Sequence, residues 1–224
     1  MNIDLIKVFN ESHELLFNGL KMTVQITVLS LIIALILGII VCLMNISPYR
    51  ILKAAARLYI WLIRGTPMLV QAFYFYFAIP QLIQAFTGAP FRIDIFTAGV
   101  FTLSLNAGAY ISEIFRGSIE AVNVGQMEAA RSLGLSYAKS MQKIILPQAV
   151  RICLPSLVNQ FIITLKDSTI LYAIGLPEIM NQAKVYVGRT MQSFATYTWV
   201  AIFFLAIVTV LSIVSGIVER RLNS

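Results

Sequence analysis

Three features of the 224-residue chain predict an all-α integral membrane fold with five crossings. Apolar residues make up 58% and charged residues 12%, against roughly 45–50% and about 25% in soluble domains. A chain of that composition cannot cover a water-facing surface with polar groups. The charges are also separated by long gaps, each near the 20 or so residues that a helix needs to cross the hydrocarbon core. Finally, backbone groups in lipid must be satisfied within their own segment, which makes each crossing a helix rather than an open strand.

Taken in order, residues 1–20 carry Asp4, Glu11 and Glu14 against Lys7, which is not the basic start of a signal peptide. Ile6, Phe9, Leu16, Phe17 and Leu20 fall on one helical stripe, predicting a helix that lies in the interface. Charge-free runs then follow: 28 residues between Lys21 and Arg50, 27 between Arg64 and Arg92, 18 between Asp94 and Glu113, and 29 between Arg189 and Glu219. A further apolar span runs from about Pro147 to Ile174, with Arg151 near its start and Lys166-Asp167 deep within it. Within "RGTP", Pro67 has no N–H to bond back to residue 63 and Gly65 weakens the same turn, so a kink is expected there. The whole of 1–224 reads as one transmembrane domain without internal repeats.

Five crossings put the termini on opposite sides. With the N-terminus outside, the inner segments hold Arg50, Lys53, Arg57, Arg116, Arg131, Lys139, Lys143, Arg151, Arg220 and Arg221. The outer ones hold only Lys7, Lys21, Arg92, Lys184 and Arg189. The positive-inside rule therefore favours N-out, C-in. The same scatter of basic residues, without a basic stripe interleaved with aromatics, argues against nucleic-acid binding despite a net charge of +7. Cys42 and Cys153 stand alone in apolar runs, and His13 is the one histidine, so neither a disulfide framework nor a metal site is suggested.

On this topology residues 116–147 form the longest cytoplasmic segment. "GQMEAARSLG" predicts a short helix with Met127, Ala130 and Leu133 on one face and Glu128 and Arg131 on another. Gly134 is suited to end it in the left-handed conformation. "SYAKSMQKIILP" starts a second helix capped by Ser136, with the next crossing beginning at Pro147. A merely solvated loop has no need for paired alanines beside an exposed apolar stripe, whereas a docked protein could approach them closely.

Glu128-Ala129-Ala130, Gly134 and Ile144-Ile145-Leu146-Pro147 resemble, in residue type and spacing, the EAA loop of ABC-importer permeases. "RGTPMLVQAFYFYF", "LNAGAYISEIFRGSIEAV" and "LVNQFIITLKDSTILYAIGLPEI" resemble the polar amino-acid branch of that family, whose members take up His, Gln, Glu or Arg. The resemblance spans the chain and implies the type I importer transmembrane domain, a bacterial cell-membrane protein. Met127, Glu128, Ala129, Ala130, Arg131, Leu133 and Gly134 would be the coupling helix seated in a cytoplasmic ATPase. That partner, not this chain, would bind ATP and Mg. A second permease subunit, identical or different, and an extracellular or periplasmic amino-acid-binding protein are implied as further partners.

Arg64, Glu113, Lys166 and Asp167 lie in or beside crossings, where charge is costly and by default functional. They sum to zero, which also suits a structural ion-pair network; both readings stand. Lys166 and Asp167 are adjacent, about 100° apart on a helix, so each needs a separate partner. In the functional reading Gln71, Asn106, Ser168 and Thr169 hydrogen-bond a zwitterionic substrate, while Glu113, seven residues beyond Asn106 on the same face, counters a cationic side chain. GxxxxGK[ST], HExxH and GxSxG motifs do not occur in the chain. The expectation is therefore a transporter subunit rather than an enzyme, with an ATP-independent oligomeric channel as the alternative.

Overall fold

The computed structural model describes residues 4–223, with side chains as far as Ile217. Five helices are long and apolar enough to cross a membrane. They are α1 (Leu5–Ile46), α3 (Met68–Thr87), α4 (Ile95–Glu120), α6 (Tyr137–Ile174) and α8 (Ser193–Asn223). Three further helices join them: α2 (Arg50–Gly65), α5 (Val124–Ser132) and α7 (Ile179–Thr190).

The first helix corrects the expected interfacial segment. It runs unbroken for 42 residues, roughly 63 Å at 1.5 Å per residue, so the part expected to lie flat over about 1–20 is collinear with the crossing. Residues 1–3 of that segment, and the side chains of Arg220 and Arg221 counted as inner charges, lie outside the described residues. The physical reason is that one side of this segment, including part of the apolar stripe, packs against protein. Val8 and Leu16 are buried against Tyr186, Ala195, Ile179 and Ala183, while Ile6 and Phe17 face outward. Trp199 Nε1 donates to the carbonyl of Leu5 at 2.9 Å and the Tyr186 hydroxyl donates to Glu11 at 2.8 Å. A Cβ on Gly19 would stand 2.7 Å from the Cα of Ile179, and Thr23 Oγ1 accepts the Ile179 N–H at 3.2 Å. Small residues permit a comparably close approach deeper in the membrane. A Cβ on Gly38 would meet Ile111 at 2.5 Å, which seats α1 against α4.

Helix α2 was hidden by its own charges. Arg50, Lys53 and Arg57 read as an inner connecting segment and Arg64 as the edge of a crossing, yet all four lie on a 16-residue helix whose other residues include the exposed Leu58, Trp61 and Leu62. It ends in a full break rather than the expected kink at Gly65 and Pro67. Thr66 (φ −118°, ψ 142°) and Pro67 (φ −61°, ψ 137°) are both extended, as the proline ring disfavours the α conformation in the residue before it.

Two other prolines are absorbed differently. A π turn at Tyr74–Ala78 stands just before Ile79-Pro80, and another at Met141–Ile145 just before Leu146-Pro147. A wider turn moves the carbonyl that the proline ring would strike, so the helix continues. The helix that carries the crossing expected from Pro147 therefore begins at Tyr137. Helix α7 was missed because it reads as a short polar connection. Glu178 caps it, accepting the N–H groups of Met180 and Asn181 at 2.9 and 2.7 Å.

Candidate functional site

Three places in this frame carry the candidate residues. The first is the segment after α4. Asn123 accepts the N–H of Gly125 at 2.8 Å and opens α5. At the other end Gly134 takes φ +85°. Its N–H reaches the Arg131 carbonyl at 3.0 Å, and that of Leu135 reaches Ala130 at 3.1 Å, which is the paired bonding of a left-handed helix stop. Ser136 then caps α6, accepting from the Lys139 N–H at 3.4 Å. The angled shape read from the sequence is present, but its apolar face is divided. Met127 packs toward Val122, Ile145 and Ala149, and Ala130 is 2% exposed. Leu133, beyond the last full turn, is 83% exposed. A docked protein would thus meet Glu128, Ala129, Arg131 and Leu133, whereas Met127 and Ala130 face the chain's own core.

The second is a charged cluster toward the C-terminal end of α4. Glu113 accepts from Arg116 Nε and Nη2 at 3.0 and 2.9 Å, with Arg64 at 3.6 Å and the Asn45 amide at 3.5 Å. Arg116 also pairs with Glu120 at 2.6 Å. Asn45, Glu113, Arg116 and Glu120, with Lys53, Arg57 and Trp61, line a cavity of about 540 Å³. Of the four-charge network, one of the two readings, only the Arg64–Glu113 pair forms among the described residues. Glu113 is held chiefly by Arg116, which the sequence placed outside the crossing, and among the described residues Lys166 and Asp167 have no ion pair.

The third is a cavity of about 330 Å³ where the α2–α3 break faces α4 and α6. Thr66, Pro67, Asn106, Tyr110, Gln160 and Asp167 line it. Gln71 secures the break: its Nε2 donates to the carbonyls of Ile63 and Thr66 at 2.8 and 3.1 Å and to Thr66 Oγ1 at 2.9 Å. These carbonyls lost their helical partners at Pro67. Its Oε1 accepts from Asn106 at 3.1 Å. Asn106 and Asp167 therefore share a cavity and Gln71 supports it. Ser168 is buried and bonded to Leu165, and Lys166 and Thr169 line an adjoining groove against α8 that shares Asp167 and Ile170 with this cavity. Glu113 does lie two turns beyond Asn106 on α4, but it is paired with Arg64 at 3.6 Å, whose guanidinium lies 5.1 Å over the Tyr110 ring.

Sequence reasoning missed Gln160, Tyr110 and Arg116. Gln160 had a usable signal, since it precedes Asp167 by seven residues, two turns on one face. What the cavity offers is an unpaired, half-buried carboxylate opposite side-chain amides, a donor and acceptor set for a small charged or zwitterionic solute.

Crossing helices, a broken helix facing a polar cavity and a short angled helix outside the span define a membrane permease rather than an enzyme. Residues 30–224 match the model of the binding-protein-dependent transport system inner membrane component family, and the chain belongs to it. It is 38% identical over 224 residues to the arginine transport system permease protein ArtQ of Bacillus subtilis (strain 168), covering 100% of this chain and 99% of that one. It is 39% identical over 209 residues to the glutamine transport system permease protein GlnP of Escherichia coli (strain K12), covering 93% of each. A crystal structure of an amino acid ABC transporter with histidines is similar with a TM-score of 0.92 and 37% identity, over 99% of this chain and 100% of that one. The fold is the type I ABC-importer transmembrane domain, and the protein is a multi-pass membrane protein.

Proposed function

We propose that this chain is the permease subunit of an ATP-driven importer for polar or charged amino acids. The observation that carries the reading is the cavity at the α2–α3 break, which Asp167 lines together with Asn106 and Gln160. A carboxylate suits the ammonium group of an amino acid or a cationic side chain, and amides suit its carboxylate. Relatives named for arginine and glutamine transport support that substrate class. Glu113, saturated by Arg116, Arg64 and Asn45, serves in this reading to hold α1, α2 and α4 together at the inner side of the cavity.

Two such subunits enclose one path, and residues 126–134 of each grip a cytoplasmic ATPase that binds ATP and Mg. The grip is made by Glu128, Ala129, Arg131 and Leu133, all of them exposed. Closure of the motor draws the two loops together and rocks the helices between outward-open and inward-open states. A binding protein delivers the amino acid to the outer face, with the N-terminus outside and the C-terminus in the cytoplasm. The test is ATP-driven uptake by liposomes holding the chain with its copurifying ATPase, against a panel of labelled amino acids. Uptake that is saturable and needs ATP supports the proposal. Flux from the chain alone, without ATP, would make it a channel.

A further inference from the structure

Lys139 and Lys143 lie beyond the coupling helix and are left without a role by that reading. Both are exposed, and neither has an acidic partner within 4.0 Å among the described residues. They sit four residues apart in the first turns of α6. Just ahead of them on the same helix is a groove of about 190 Å³, walled by α1, α4 and α6 and lined without a charged side chain.

The groove is built as a slot. Its floor is made of small buried residues, among them Cys42, Ala149 and Cys153, and its edges are branched aliphatics, among them Ile39, Leu43 and Val150, which are half exposed. All three walls belong to helices that cross the membrane. A gap of this kind leaves the lining without partner atoms unless something apolar enters it. The slot lies near the loop-side ends of its helices, since α1 ends at Ile46 and α4 at Glu120. Lys143 is three residues before Leu146, a lining residue, so its Cα is roughly 5 Å along the helix axis from the slot's end. An apolar slot with two exposed cations just beyond its end on one of its walls is complementary to an amphiphile with an anionic head.

We propose that this groove is a site for one anionic phospholipid of the loop-side leaflet, with an acyl chain in the slot and the phosphate on Lys143 and Lys139. That leaflet is the cytoplasmic one in the orientation proposed above; the site itself is independent of the orientation.

The experiment is native mass spectrometry of the chain with its ATPase, titrated with phosphatidylglycerol and phosphatidylcholine of identical acyl chains. Retention of one phosphatidylglycerol per chain at about tenfold lower concentration than phosphatidylcholine is expected. Lys139→Gln with Lys143→Gln should erase that difference, and Ala149→Leu, which fills the floor, should weaken both lipids. In the unmodified chain phosphatidylglycerol should also slow maleimide alkylation of Cys42 and Cys153, a readout free of folding defects. Equal retention of the two lipids by the unmodified chain would overturn the proposal. So would a lysine variant that keeps the preference but sheds its ATPase, since the lysines would then belong to that protein. Uptake measured on the same preparations separates the readings: loss of ATP-driven transport with lipid preference intact counts against the importer, not against this site.

Discussion

Asn106 Nδ2 donates to Gln71 Oε1 at 3.1 Å, while the Nε2 of the same Gln71 donates to the carbonyls of Ile63 and Thr66 across the break at Pro67. One side chain thus joins the cavity wall to the two halves of a broken helix. Gln71→Leu should leave three acceptors and Asn106 unsatisfied and lower stability by about 1–3 kcal/mol. Thermal unfolding in detergent measures this. Asn106→Ala should cost less stability than Gln71→Leu yet impair uptake comparably, because it removes the cavity group and spares the break.

Asp167→Asn keeps the shape of the cavity and removes its charge. Transport of arginine or lysine should weaken ten- to a hundredfold, on the order of the 1.5–3 kcal/mol of a charge-assisted hydrogen bond, with glutamine affected far less. Competition uptake in liposomes gives the ratio. An equal loss for all substrates would remove Asp167 from substrate recognition.

Gly134 occupies φ +85° with open space around it. Gly134→Val therefore meets no clash and fails through backbone strain alone, roughly 1–2 kcal/mol. The variant should remain in the membrane while ATPase association and uptake fall together, measured by copurification and transport. Gly134→Asn, which tolerates this conformation better, should retain more of both.

Glu178 is fully buried at the start of α7, and burial pushes its carboxyl up from 4.5 to about 7, against the opposing pull of the Met180 and Asn181 N–H groups. The folded chain then holds a proton that the unfolded chain has lost between about pH 4.5 and 7. Stability should accordingly fall as pH rises through that window, by up to about 3 kcal/mol, and level off above it. Glu178→Gln should flatten the curve. Melting temperatures of both proteins at pH 5, 6, 7 and 8 provide the check.

Orientation is testable at exposed positions on the two ends. With Cys42 and Cys153 replaced by Ser, Ala138→Cys should react with an impermeant maleimide only from the cytoplasm and Ala89→Cys only from outside. Ser140 would be a poor probe, being 0% exposed. Reaction of Ala138→Cys in intact cells would reverse the orientation and the docking assignment with it.

The crossings were legible because charge spacing reports lipid directly. So was the Gly134 corner, where a local backbone demand leaves a local residue choice. Helix α2 was not legible, since Arg50, Lys53 and Arg57 look like a loop until the neighbouring helix supplies a partner face. The pairing of Glu113 was hidden for another reason: Arg116 is three residues away on the same helix, yet counting charges per span assigned the two to different compartments. Asn106 and Asp167 could be nominated as polar residues in lipid, but only packing shows that they share a cavity and that Ser168 does not.

The π turns before Pro80 and Pro147 bear on how sequences of this kind should be compared. Each accommodates one residue more than an α-helical turn would in the same rise. Each is therefore the structural equivalent of a single-residue insertion that leaves the faces of the helix beyond it in register. A relative lacking either proline would be expected to run one residue shorter at that point while presenting the same side chains. Its alignment with this chain would then carry a gap inside a transmembrane helix, where gaps are ordinarily penalised as errors.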